Sequence, residues 1–132
     1  EEALKRIYSK TYDFIILNYA NPDMVGHSGI LPAAVKAIEA LDTCVGRVAQ
    51  ALRETGQMLL TADHGNADQM LDPAGNVLTA HSLNPVPFLI MANEPVRLAS
   101  GGILADIAPT LLDLAGMEPP AEMTGRSLLL RP

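Results

Sequence analysis

The chain has 132 residues, of which 48% are apolar, and it carries a formal net charge of −6. Such a chain forms one domain that buries roughly two-thirds of its unfolded surface, and a mean hydropathy of +0.18 excludes disorder. The pI of 4.8 argues against binding of nucleic acid or of an anionic membrane surface. The single cysteine excludes a disulfide framework and a thiolate zinc site.

The charged residues 1–10 do not resemble a signal peptide. Residues 1–10 are charged, and the apolar runs are too short to span a membrane, so we expect a cytoplasmic protein. The first residue is Glu1 and not Met, and we therefore expect an excerpt or a processed piece of a longer protein.

The first half of the chain predicts a strand followed by a long helix. Residues 1–12 form a polar lead-in, and Tyr12–Tyr19 is a continuous apolar run typical of a strand buried on both faces of a parallel sheet. After a turn at residues 21–23, Pro32 opens an amphipathic helix of about 22 residues, with Gly56 as its stop. Its apolar side chains recur every three or four residues: Val35, Ile38, Leu41, Val45, Val48 and Leu52.

The second half predicts two more strands and a final helix. Met58–Thr61 completes a strand–helix–strand unit with a right-handed crossover, and Phe88–Met91 is a third apolar strand. Residues 72–76 between them predict a hairpin-like turn. The last helix is expected from Asp106, its cap, to Ala115, with a stop at Gly116 and with Pro109 in its first turn.

The three histidines of the chain all lie in predicted loops, where open α/β sheets bind ligands. Asp23 precedes His27 by four residues, so one helical turn places both side chains on one face. Asp63 and His64 are adjacent, and they can converge at a bend that the following glycine permits. His81 is the third histidine, in a loop of its own.

This set of oxygen and nitrogen ligands without thiolate suits a divalent ion, and Mn²⁺, Zn²⁺, Fe²⁺ and Mg²⁺ all fit to some degree. Two aspartates and three histidines exceed one tetrahedral shell but do not complete two. We therefore predict a dinuclear centre that lacks part of its ligand shell in this chain. Two neighbouring metal ions would clamp the attacking and leaving oxygens of a displacement at phosphorus.

Other polar residues are weaker candidates. Ser28 and Ser82 each follow a histidine directly, a spacing that disfavours a nucleophile–base pair. Cys44 shares the buried stripe of the helix and is expected to be an inert core residue. Asp68 and Asp72 are expected to be solvated, and Gly101–Gly102 is expected to form a turn. Asn66 could either orient a substrate or fix its own loop.

Cations are missing from the windows that hold these ligands. No Lys or Arg occurs between Thr11 and Val35 or between Thr55 and Val96. A phosphorylated substrate normally needs guanidinium groups to position it. The unsupported candidates for that role are Arg97, Arg126 and Arg131.

Five segments of the chain carry recognisable motifs: Asn18–Gly29, Thr61–Ala67, Thr79–Pro87, Asp106–Leu112 and Met123–Gly125. In this order they resemble motifs of the cofactor-independent, 2,3-bisphosphoglycerate-independent phosphoglycerate mutases. The resemblance covers nearly the whole chain from Tyr12 onward. Other members of the alkaline phosphatase superfamily share Asp-His-Gly but not this set of surrounding residues.

The resemblance implies a three-layer α/β/α alkaline-phosphatase-like domain with a mostly parallel sheet, of which residues 1–132 are the C-terminal segment. It implies two manganese ions, with Asp23, His27 and His81 as ligands of the first and Asp63 and His64 as ligands of the second. An aspartate, the nucleophilic serine, the substrate-binding arginines and a lysine belong to the family's upstream part, as does an inserted domain. The chain therefore depends on the remainder of its own polypeptide.

The implied activity is interconversion of 3- and 2-phosphoglycerate in glycolysis through a phosphoserine enzyme, with the isolated chain inactive. Two alternatives stay open. One is a different metal-dependent phosphomutase or phosphatase of the same superfamily, and the other is a non-catalytic metal-binding module.

Overall fold

The computed structural model describes residues 1–130, whose contacts divide into two compact units at Met91 and Ala92. The first unit contains α1 (Glu2–Ser9), α2 (Asn21–Gly26), α3 (Leu31–Leu52), β1 (Met58–Thr61) and β2 (Phe88–Met91). The second contains β3 (Arg97–Leu98), a 3-10 helix (Leu104–Asp106), α4 (Ile107–Leu114) and β4 (Leu129–Leu130). None of the described helices is long and apolar enough to cross a membrane.

Helix α3 confirms the long predicted helix and is the element on which α1 and α2 pack. It begins one residue before Pro32, which lies in the first turn, where its missing N–H costs no hydrogen bond. Its apolar stripe is only partly covered: Ala34 is buried, but Val35 is 49% exposed. Cys44 is half-buried and free, and so is not the core residue that the stripe predicted.

Strands β1 and β2 lie at the predicted positions and pair in antiparallel orientation, with Met58 opposite Met91. Strands β3 and β4 also pair antiparallel. Among residues 1–130 the expected parallel sheet and its right-handed crossover are therefore not formed. The turn at residues 72–76 is confirmed, since Asp72 Oδ1 accepts the N–H groups of Ala74 and Asn76 and an isolated bridge joins Leu71 to Val77.

The prediction of a buried strand at Tyr12–Tyr19 is wrong for the described part of the chain. These residues adopt no helix or strand, and Ile16 is 92% exposed. A strand forms only where another strand accepts and donates its hydrogen bonds, and none of the described strands pairs with this segment. The apolar run is present, but its partner is not among residues 1–130.

The second unit contains the predicted final helix, α4, which ends at Leu114 and is followed after Ala115 by Gly116 in a left-handed conformation with φ of 71°. Asp106 lies at the predicted cap position, but its carboxylate bonds elsewhere. It accepts the backbone N–H groups of Arg126 (2.8 Å) and Ile103 (2.9 Å). These two donors hold the pKa of Asp106 below its usual value, and they tie the residue before the 3-10 helix and the segment after α4 to the start of α4.

Candidate metal centre

All five predicted ligands lie in the first unit, on three segments of chain. Asp23 is on α2 and His27 caps the C-terminal end of the same helix, so one turn brings their side chains together as predicted. Asp63 and His64 lie in the loop after β1, and His81 lies in the loop before β2.

Three donor atoms from two of these segments form a nearly equilateral triangle. Nε2 of His27 and Nε2 of His81 each lie 3.2 Å from Oδ1 of Asp23, and the two nitrogens are 3.1 Å apart. Donor atoms held about 2.1 Å from one shared ion lie about 3.0–3.4 Å from each other in octahedral or tetrahedral coordination. The triangle therefore has the dimensions of one face of a metal coordination shell.

A backbone carbonyl selects the tautomer of His27. Its Nδ1 lies 2.6 Å from the carbonyl oxygen of Thr79, which can only accept a hydrogen bond, so Nδ1 carries a proton and donates. In the neutral ring, Nε2 then has no hydrogen, and its lone pair faces the Asp23 carboxylate. Two lone pairs at this distance repel unless a cation lies between them, and a backbone acceptor behind a histidine is typical of metal ligands.

His64 and Asp63 lie beside this triangle. The ring of His64 stacks on the ring of His81 with centroids 3.7 Å apart. One donor atom from each of Asp23, His64 and His81 lies within 4.8 Å of the others. Asp63 is more exposed, and its Oδ1 lies 3.7 Å from Nε2 of His64, so the adjacent pair does converge at the bend after β1.

The Asp23 carboxylate is also held by a neighbour that sequence analysis left ambiguous. Nδ2 of Asn66 donates to Oδ1 of Asp23 at 2.8 Å. This hydrogen bond from the Asn66 amide is the largest cause that lowers the pKa of Asp23. Burial raises the pKa, and the nearby histidines lower it further.

A carboxylate-centred network, which the sequence analysis missed, ties the two ligand loops together. Asp68 accepts hydrogen bonds from Oγ of Ser82 (2.9 Å) and Nδ2 of Asn84 (2.6 Å), and the N–H of Ser82 donates to the carbonyl of Gly65. These donors lower the pKa of Asp68, with Asn84 as the largest contribution. Asp68 is exposed as predicted, but it links the His64 loop to the His81 loop. The cluster of Asp, Ser and Asn within 64–84 was the available signal.

The weaker candidates have structural partners. The hydroxyl of Ser28 donates to the carbonyl of Val25, and the hydroxyl of Ser82 donates to Asp68. Each hydroxyl therefore stabilises the loop in which it lies. Arg97 and Arg126 belong to the second unit, and Arg131 lies outside the described residues.

The family model named Metalloenzyme superfamily matches residues 1–119. The chain belongs to this superfamily. Its mixed helices and strands are compatible with the alkaline-phosphatase-like α/β fold expected from the motifs, in a segment that is incomplete.

Curated relatives of the chain are named 2,3-bisphosphoglycerate-independent phosphoglycerate mutase. The protein of Pseudomonas fluorescens is 52% identical over 132 residues, 98% of this chain and 26% of its own length. That of Clostridioides difficile is 52% identical over 133 residues, with the same two coverages. The chain therefore spans about a quarter of the length of these relatives.

A solved structure of Leishmania mexicana phosphoglycerate mutase, obtained at low cobalt concentration, is also similar. It matches 99% of this chain with a TM-score of 0.88 and 32% identity, over 27% of its own length. The family resemblance of the motifs is thus confirmed by sequence relatives and by a structural neighbour.

Proposed function

We propose that this chain is the C-terminal, metal-binding segment of a phosphoglycerate mutase, an isomerase that interconverts 3- and 2-phosphoglycerate through a phosphoserine enzyme. The observation that carries the proposal is the donor triangle of Asp23, His27 and His81, with edges of 3.1–3.2 Å. The relatives' names support the reaction. We further propose a cytoplasmic enzyme of glycolysis and gluconeogenesis.

In this proposal the triangle holds a first divalent ion, while Asp63 and His64 contribute to a second. The set of carboxylate oxygens and imidazole nitrogens suits Mn²⁺, and the relative studied with cobalt supports a divalent transition metal. Bound ions of this kind lower the pKa of a hydroxyl nucleophile and neutralise phosphoryl oxygens.

The residues of this chain would bind and orient, and the nucleophile would come from elsewhere. His27 presents a fixed lone pair because Thr79 accepts its Nδ1 proton. The ligand windows contain no Lys or Arg, so the groups that position the phosphoglycerate would belong to the remainder of the polypeptide. The same remainder would cover the exposed apolar run at residues 14–17.

The test uses the full-length protein that contains this chain. We expect conversion of 3-phosphoglycerate to 2-phosphoglycerate that is lost on chelation and restored by Mn²⁺. Asp23→Asn should lower Mn²⁺ affinity by more than about 100-fold, because a lost direct ligand costs more than the 10–100-fold typical of outer partners. Asp72→Asn is the matched control, since Asp72 also accepts an Asn amide (2.8 Å from Asn76) but lies in the surface turn.

Two results would contradict the proposal. Release of phosphate from a panel of phosphomonoesters, without mutase activity, would indicate a phosphatase of the same superfamily. Failure of the full-length protein to bind any divalent ion, measured by mass spectrometry after chelation and re-addition, would indicate a non-catalytic module.

A further inference from the structure

Asn66 is a polar side chain that the proposed reaction does not use. It is 5% exposed, and its Nδ2 donates to Oδ1 of Asp23 at 2.8 Å. That oxygen is the one that lies 3.2 Å from the nitrogens of both His27 and His81. A carboxylate oxygen has two lone pairs, so the amide can occupy one while the other faces the histidines.

The side chain does not serve its own loop. Its two hydrogen bonds reach Asp23, at the carboxylate and, more weakly at 3.5 Å, at the backbone carbonyl, which lies 43 residues away in the sequence. Its own Oδ1 is buried without a partner among the described residues. A buried, unpaired amide oxygen is unfavourable, and rotating the amide would turn this oxygen towards the Asp23 carboxylate. The N–H donor is therefore the part of the side chain that the site uses.

Gly26 provides the space for this amide. It is buried on α2 between the two ligands of that helix, and a Cβ atom there would lie 2.3 Å from Oδ1 of Asn66. Its backbone is not left-handed, so an alanine is excluded by the amide and not by the glycine's own conformation. The Asn66 amide thus packs against Gly26 and donates to Asp23 from that position.

We infer that Asn66 is a positioning residue that fixes Oδ1 of Asp23 towards the ion shared with His27 and His81. This inference rests on the proposed function, since it assumes that the triangle binds a metal. Partners that orient a ligand typically contribute 10–100-fold to metal affinity. The amide would do so by removing the rotational freedom of the carboxylate before the ion arrives.

The test measures Mn²⁺ affinity of the full-length protein by competition with a chelator. Asn66→Ala should weaken binding of one Mn²⁺ ion by 10–100-fold, while thermal unfolding of the metal-free protein changes little relative to the control. That control is Asn76→Ala, which removes an equivalent hydrogen bond from an amide to the Asp72 carboxylate, in the exposed turn at residues 72–76 that contains none of the proposed ligands. It should bind Mn²⁺ as the wild type does.

Gly26→Ala keeps both side chains of the contact and provides a second test. It should also lower Mn²⁺ affinity by 10–100-fold, because the new methyl group pushes the amide away from Asp23. In the Asn66→Ala background the same change should cost less than about threefold, since coupled neighbours are not additive. This comparison remains informative if Asn66→Ala alone proves unstable.

Two outcomes would overturn the inference while leaving the proposed function intact. They are Mn²⁺ affinity within threefold of wild type in either single variant, and fully additive effects of Gly26→Ala and Asn66→Ala. Absence of Mn²⁺ binding in the wild-type protein would instead reject the metal site itself, and the inference with it.

Discussion

Nδ1 of His27 donates to the carbonyl of Thr79, and the lone pair on its Nε2 lies 3.2 Å from Oδ1 of Asp23 and 3.1 Å from Nε2 of His81. A single ion could nevertheless be held without it, because donor atoms of Asp23, His64 and His81 also lie within 4.8 Å of one another. His27 is therefore the side chain that distinguishes the proposed two-ion arrangement from a one-ion site.

We predict that His27→Ala reduces the Mn²⁺ content of the full-length protein from two ions towards one. The ion assigned to Asp63 and His64 should remain, because neither ligand is changed. Metal content after saturation with Mn²⁺ and gel filtration measures this, with the neighbouring Ser28→Ala as control. Unchanged content in His27→Ala would contradict the assignment.

For individual residues, the sequence predicted the proposed ligands but not the hydrogen-bond partners that orient them. The four-residue spacing of Asp23 and His27 and the glycine after His64 were sufficient to expect convergence. The Thr79 carbonyl could not be anticipated, because a backbone acceptor has no residue-type signal. The role of Asn66 stayed ambiguous because its partner lies 43 residues away.

A buried hydroxyl joins helix α4 to Leu128, the residue before β4. Thr110 is fully buried, and its Oγ1 donates to the carbonyl of Asp106 (2.6 Å) and accepts the N–H of Leu128 (3.0 Å). Hydroxyl removal would leave a buried backbone donor without a partner.

We predict that Thr110→Val lowers the free energy of unfolding by about 1–3 kcal/mol, the usual cost of an unsatisfied buried group. Thr110→Ser keeps the hydroxyl and loses only a methyl group, worth about 0.8 kcal/mol. Denaturant unfolding of the two variants decides the point. Equal destabilisation would mean that packing, and not the hydrogen bonds, makes this site important.

Elements were predictable where their pattern is local. Helix α3 follows from the apolar spacing behind Pro32, and β1 and β2 follow from short apolar runs bounded by turns. The run at Tyr12–Tyr19 carries the same signal but forms no strand among residues 1–130. Periodicity indicates a tendency to pair, whereas pairing needs a second strand that the pattern does not contain.

The molecule as described leaves much of its apolar surface uncovered. Residues of the types Ala, Val, Ile, Leu, Met, Phe, Tyr and Cys make up 48% of the chain, but within residues 1–130 only Ala34, Met70 and Leu128 of these are buried. Composition therefore predicted how much surface should be buried but not which chain would cover it. The quarter-length match to the relatives is consistent with cover from the remainder of a longer polypeptide.

The most direct test is a crystal structure of the full-length protein grown with Mn²⁺, with anomalous scattering measured at the manganese edge. We predict one peak about 2.1 Å from Oδ1 of Asp23 and from Nε2 of both His27 and His81, which is the usual distance for such ligands. A second peak should lie beside Asp63 and His64. Manganese bound elsewhere, with no peak among Asp23, His27 and His81, would contradict the account.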